Sequence, residues 1–146
     1  LDTIYTRARN ISKENNEIRT DALYEEQLRT MISTYASNDI HVILQHFDGV
    51  SLKWNRATKI VVFRTLQELM VNMKKHSKCS VVSLRFKNDD NCVEIDYSDN
   101  GIGAQKSTII KNGLENVEKR IFSIQGTITF DTEPGKGFKV KMIIPN

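Results

Sequence analysis

Glu68, Asn72, Lys75 and His76 stand at spacings that an α-helix brings to one side. At about 100° per residue, Asn72 falls about 40° from Glu68, Lys75 about 20° and His76 about 80°. Val62, Leu66, Leu69, Met70 and Met73 gather on the opposite side, so that side packs and the polar stripe faces outward. The chemistry open to such a stripe is specific. A carboxamide is a neutral oxygen ligand that can hold a hydrated Mg²⁺. A lysine one turn on meets phosphate as a point charge. A glutamate one turn earlier can orient or deprotonate a water or hydroxyl near a phosphate in transfer. A solvated helix face uses the same residue types, so the helix alone leaves both readings open.

A second candidate is Asp99-Asn100-Gly101-Ile102-Gly103. Here a carboxylate leaves a strand and meets two glycines. It can accept a hydrogen bond from an exocyclic amine such as that of adenine, while the glycines let the backbone pass close to a flat base. A plain turn has the same composition. Nine polar, lysine-bearing residues follow (104–112), read either as a lid or as a long loop. Gly113 then opens a helix whose first amides suit phosphate. His41 and His46, on or beside a strand, read as structural; Trp54 and the tyrosines read as core or rim residues.

The elements that must position these residues follow from periodicity. Residues 1–19 carry Leu1, Ile4, Ala8 and Ile11 at helical spacing, with a polar connection over 10–18. Asp21 caps a helix running to Tyr35. Ile40 to Phe47 alternates as a strand, and Ala57 to Ser77 is the longest helical pattern. Ser80–Lys87 and Cys92–Ser98 form a hairpin across Asn88-Asp89-Asp90-Asn91. A helix over Leu114–Gln125 precedes a last hairpin of Thr127–Asp131 and Gly137–Ile144. Helices with paired antiparallel strands predict an α+β fold, a two-layer sandwich.

Composition narrows the classes. A chain of 146 residues is one domain's worth, with 39% hydrophobic and 27% charged residues, a globular balance. No apolar stretch approaches the roughly 20 residues of a membrane-spanning helix, and no signal-peptide pattern is present. The net charge is +3, and no basic run of five occurs, which argues against a nucleic-acid face. Cys79 and Cys92 lack metal-ligand spacing and read as reduced thiols in a reducing compartment. The first residue is Leu1, which reads as a piece excised from something longer.

Taken together the motifs resemble the catalytic ATP-binding domain of sensor histidine kinases. Residues Gln67 to Ser77 are similar to the N box, Asp99 to Gly103 to the G1 box, and Asn112 to Ile121 to the G2 box and its helix. Gly126-Thr127-Ile128 and Pro134 to Phe138 resemble the closing hairpin. The likeness covers residues 21–146 and is strongest to the nitrate-sensor and desaturase-regulator subgroup, in the form found in Bacteroidetes-type sensors with tetratricopeptide repeats. It implies a Bergerat fold, with a mixed, mostly antiparallel sheet and helices on one face. It implies ATP and Mg²⁺ as cofactors. Asn72 would hold the metal, Lys75 and His76 would face the phosphates, and Asp99 would take the adenine amine. Gly101, Ile102, Gly103, Gly113 and Leu114 would shape pocket and lid, and Glu68 and Lys75 would act in catalysis.

The same resemblance makes residues 1–20 the end of a dimerisation helix with its linker. The phosphoacceptor histidine would then lie upstream, on the kinase's own dimerisation domain. A response regulator aspartate would be the next acceptor, and the parent a homodimer working in the cytoplasm, with or without a membrane anchor. The chain departs from the pattern in two places. Only Gly113 stands in the G2 segment where many relatives have two glycines, and Phe138 replaces a common threonine. Another ATPase of the gyrase or MutL kind, and a nucleotide-dead interaction module, are the rival expectations.

Overall fold

In a computed structural model, residues 17–103 and 114–146 are described. The expected first helix and the segment 104–113, with Gly113, lie outside the described residues. Helix α1 spans Tyr24–Ser33, strand β1 His41–Gln45 and helix α2 Arg56–Asn72. A single π-helical turn, Met73–Ser77, prolongs α2. Strands β2 (Val81–Asn88) and β3 (Cys92–Asp99), helix α3 (Glu115–Ser123), and strands β4 (Thr127–Thr132) and β5 (Phe138–Pro145) complete the chain.

The five strands form one sheet in the order β1-β2-β3-β5-β4. Strand β1 runs parallel to β2, because α2 crosses between them; the other pairings are antiparallel. Alternation sends Val82, Leu84 and Phe86, Val93, Ile95 and Tyr97, and Val140, Met142 and Ile144 to one face. There they meet Leu66, Leu69 and Met70 of α2 and Val117 and Ile121 of α3 in a single core. The other face is polar, with Lys141 and Glu94 paired across β5 and β3 at 3.1 Å. The expected two-layer α+β sandwich is the fold found.

Asn55 caps α2, its side chain accepting from the Thr58 amide at 2.9 Å. One local detail differs from the sequence reading. Asp21 does not occupy the cap position of α1; Leu23 does. The Asp21 carboxylate instead accepts from the Leu23 amide at 3.0 Å, forming the turn that leads into the helix.

Candidate functional site

The end of α2 supplies the first wall of a cavity. Leu69, Asn72, Met73, His76 and Ser77 line it. Asn72 donates its side-chain amide back to the Glu68 carbonyl at 3.1 Å, which leaves the side-chain oxygen as the atom to present to a cation. The helical stripe does not reach the cavity as a unit. Glu68 is not among the lining residues; its charge acts on Tyr35, whose phenol is raised first by burial and then by that carboxylate. Lys75 is exposed and does not line the cavity either. The wide turn over Met73–Ser77 accounts for Lys75: a π-turn rotates each residue less than the 100° of an α-helix.

Strand β3 supplies the polar floor. Its inward-facing positions run Val93, Ile95, Tyr97, Asp99, so the period of two that builds the core also delivers a carboxylate to the core side at the strand's end. Asp99 is only 5% exposed. The Tyr97 hydroxyl donates to its Oδ2 at 2.6 Å and the Gly101 amide donates to its Oδ1 at 2.9 Å. Two of the roughly four acceptor positions of a carboxylate are thereby taken, and the residue lines the cavity. Burial, and then the Asp99 carboxylate, push the Tyr97 phenol far above its usual range, so it serves as a donor.

Two glycines fit these walls together, for a reason the sequence did not show. A Cβ on Gly101 would overlap both the Ser77 hydroxyl oxygen and the Ser77 carbonyl. The same carbonyl accepts from the Ile102 amide at 2.8 Å, which staples the loop to the end of α2. Gly103 has φ +69°, and a Cβ there would overlap the Glu133 carbonyl of the β4–β5 turn. The missing side chains thus let protein pack on protein, whereas the sequence reading assigned the room to a base.

Leu114 and Phe138 close the cavity, which holds about 190 Å³. Phe138 pairs with Asp99 in the β3–β5 register and stacks edge-on against Tyr97, ring centres 6.0 Å apart. Where the departure from the family pattern removes a hydroxyl, it supplies an aromatic wall. Apolar walls around one buried carboxylate suit a flat heterocycle that carries a donor.

Of the residues singled out in the sequence, Asn72, His76, Asp99, Ile102, Gly103 and Leu114 come together at the cavity. Gly101 supports it from behind, Glu68 and Lys75 do not line it, and Gly113 lies outside the described residues. Tyr97 reads in the sequence as core or rim, and Ser77 as the last residue of the segment similar to the N box. The position of Tyr97, two residues before Asp99 on a strand, is the signal that would have found it.

The profile of the histidine kinase-, DNA gyrase B-, and HSP90-like ATPase family matches residues 57–146. Among curated proteins, the sensor histidine kinase ComP of Bacillus subtilis is 26% identical over 140 residues, covering 88% of this chain and 18% of ComP. The oxygen sensor histidine kinase NreB of Staphylococcus carnosus is 25% identical over 133 residues, covering 89% of this chain and 37% of NreB. The chain therefore spans roughly a fifth to two-fifths of these relatives. Among solved structures, the histidine kinase domain of the Erythrobacter litoralis EL346 blue-light activated histidine kinase superposes with a TM-score of 0.64. It is 17% identical, over 84% of this chain and 59% of that one, and shows a shared fold.

Proposed function

From the premise that the chain belongs to the histidine kinase-, DNA gyrase B-, and HSP90-like ATPase family, we propose that residues 21–146 are the catalytic ATP-binding domain of a sensor histidine kinase. The observation that carries this reading is Asp99, a buried carboxylate at the end of a cavity with apolar walls, held by two donors and able to accept more. Asp99 takes the exocyclic amine of adenine, and Leu69, Met73, Leu114 and Phe138 enclose the ring. Asn72 and His76 lie along the same cavity on the side proposed for the phosphates.

Mg²⁺ fits the donor set. Among the described residues no group of three or more His, Cys, Asp or Glu comes together. A cation here would take the Asn72 oxygen and complete its shell from phosphate and water, as Mg²⁺ prefers. Bound there, it would neutralise phosphate charge. The γ-phosphate passes to a histidine of the kinase's dimerisation domain and from it to an aspartate of a response regulator. For that transfer this domain supplies positioning and electrostatics. In the same reading Glu68 assists the proton transfer and Lys75 meets the phosphates.

A nucleotide titration with and without Mg²⁺ tests the reading. ATP should bind in its presence, and Asn72→Ala should lose the Mg²⁺-dependent part of the affinity while the far-ultraviolet spectrum is unchanged. An Asn72→Ala protein that binds Mg-ATP like the parent would refute the metal role. A parent that binds no adenine nucleotide would refute the site.

A further inference from the structure

Four buried side-chain polar atoms among the described residues have no hydrogen-bond partner: Trp54 Nε1, Thr65 Oγ1, Ser77 Oγ and Asn146 Oδ1. Of these residues only Ser77 lines the cavity. Ser77 is 8% exposed, so its hydroxyl is sheltered from bulk water and still unsatisfied. A buried hydroxyl without a partner is costly. A ligand that supplied the partner would recover that cost on binding.

The place of this hydroxyl defines the partner. Gly101 has Asp99 on one side, its backbone N–H donating a hydrogen bond to Oδ1. It has Ser77 on the other, whose Oγ fills the space where a Gly101 Cβ would stand. A strong acceptor and a free hydroxyl therefore flank Gly101, which stands just behind the cavity that Asp99 and Ser77 line. The π-turn sets up this arrangement, since Ser77 is its last residue and Lys78 then leaves in a left-handed conformation (φ 53°). Single π-turns recur at functional sites.

We infer that Ser77 is a second base-reading residue, whose hydroxyl donates to one of the two ring nitrogens that flank the exocyclic amine of adenine. This rests on the adenine-nucleotide reading of the site and deepens it. In adenine the amine, a donor, has a ring-nitrogen acceptor on either side. Asp99 as acceptor beside Ser77 as donor is the complement of that edge. Guanine presents a carbonyl where adenine has the amine, which sets two acceptors against each other at Asp99. The Ser77 hydroxyl would add to the selectivity that the carboxylate begins.

Calorimetric titration of the chain and of Ser77→Ala with ADP, 1-deaza-ADP and 7-deaza-ADP decides the matter. Ser77→Ala should weaken ADP about three- to tenfold, the scale of one net hydrogen bond. One of the two deaza analogues should lose the same factor on the parent chain. On Ser77→Ala that analogue and ADP should bind alike, because the same bond cannot be lost twice. Equal ADP affinity of the variant and the parent overturns the inference. So does a variant that weakens all three nucleotides by one factor, which would make Ser77 a shaping residue only. The parent's own series is independent of how the variant folds: if neither analogue binds it less tightly than ADP, the hydroxyl reads no ring nitrogen. A parent that binds none of the three overturns the adenine reading itself, which separates that failure from this one.

Discussion

Glu25 and Asp99 are two carboxylates held by backbone amides, and they do different work. Glu25, in the first turn of α1, accepts from the Gly49 amide at 2.8 Å, the Ser51 amide at 3.1 Å and the Ser51 hydroxyl at 2.5 Å. All three donors belong to the loop between β1 and α2, so the carboxylate ties that loop to a helix. Its surroundings are a more open and more polar depression that includes Lys59, Asp21 and the exposed Leu52. Asp99 has two donors, near-complete burial and an apolar cavity in front of it. What separates an anchor from a candidate binding group is acceptor capacity left over and a space that concentrates its use.

The largest expected effect comes from removing the charge at the cavity. Asp99→Asn should weaken ATP and ADP about equally, by about 1.5–3 kcal/mol, the scale of a hydrogen bond to a charged group. That is roughly a ten- to hundredfold rise in Kd. Unchanged ATP affinity would erase the distinction from Glu25.

The converse substitution is Glu25→Gln. It should leave nucleotide affinity alone and lower stability by about 1–2 kcal/mol, discounted because the group is half-buried. For a domain of this size the melting temperature should fall by roughly 3–8 °C. The pH dependence sharpens the test. Burial opposes the Glu25 charge, but the bonds from Ser51 and Gly49 outweigh it and hold the carboxyl below its ordinary value. A lowered folded pKa contributes stability that is present above the unfolded value, near 4.5, and is lost as pH falls through the folded one. The gap in melting temperature between parent and Glu25→Gln should therefore be full at neutral pH and close as acidification passes below the unfolded value near 4.5. A gap that widens in acid would contradict the assignment.

Much of this contrast was legible in the sequence, and the rest was not for identifiable reasons. The strands announced themselves by alternation, and the β2–β3 turn by Asn88-Asp89-Asp90-Asn91. Asp99 and its glycines stand at alternate positions within five residues, so local order exposes them. Asn72 and His76 followed from helical spacing. The π-turn did not, since nothing in Met73 to Ser77 distinguishes it from the α-helix it extends. Lys75 was placed on the stripe by the same uniform rotation. The tie between Ser77 and Gly101 joins two distant segments, and only the folded chain brings them into contact. Nothing local in the sequence marks Glu25, because its three donors lie on a loop far along the chain.

The smallest effect, and the one that probes the cavity most finely, concerns Tyr97. Its ring is core, 2% exposed and stacked against Phe138, and phenylalanine would keep that packing. Its hydroxyl holds Asp99 Oδ2 at 2.6 Å. If that bond fixes the carboxylate plane toward the base, Tyr97→Phe should weaken ADP about three- to tenfold, the scale of one net hydrogen bond. A change in stability alone would not establish a positioning role, because leaving a buried carboxylate short of a donor also destabilises the fold. The deciding readout is a double-mutant cycle on nucleotide affinity. In an Asp99→Asn background Tyr97→Phe should have almost no further effect, since the group it orients no longer makes the charged bond. Equal losses in both backgrounds would mean that Tyr97 acts on the cavity independently of Asp99. A tighter-binding Tyr97→Phe would mean that the phenol competes with the base for the carboxylate, and the two donors on Asp99 would then belong to the fold, as the three on Glu25 do.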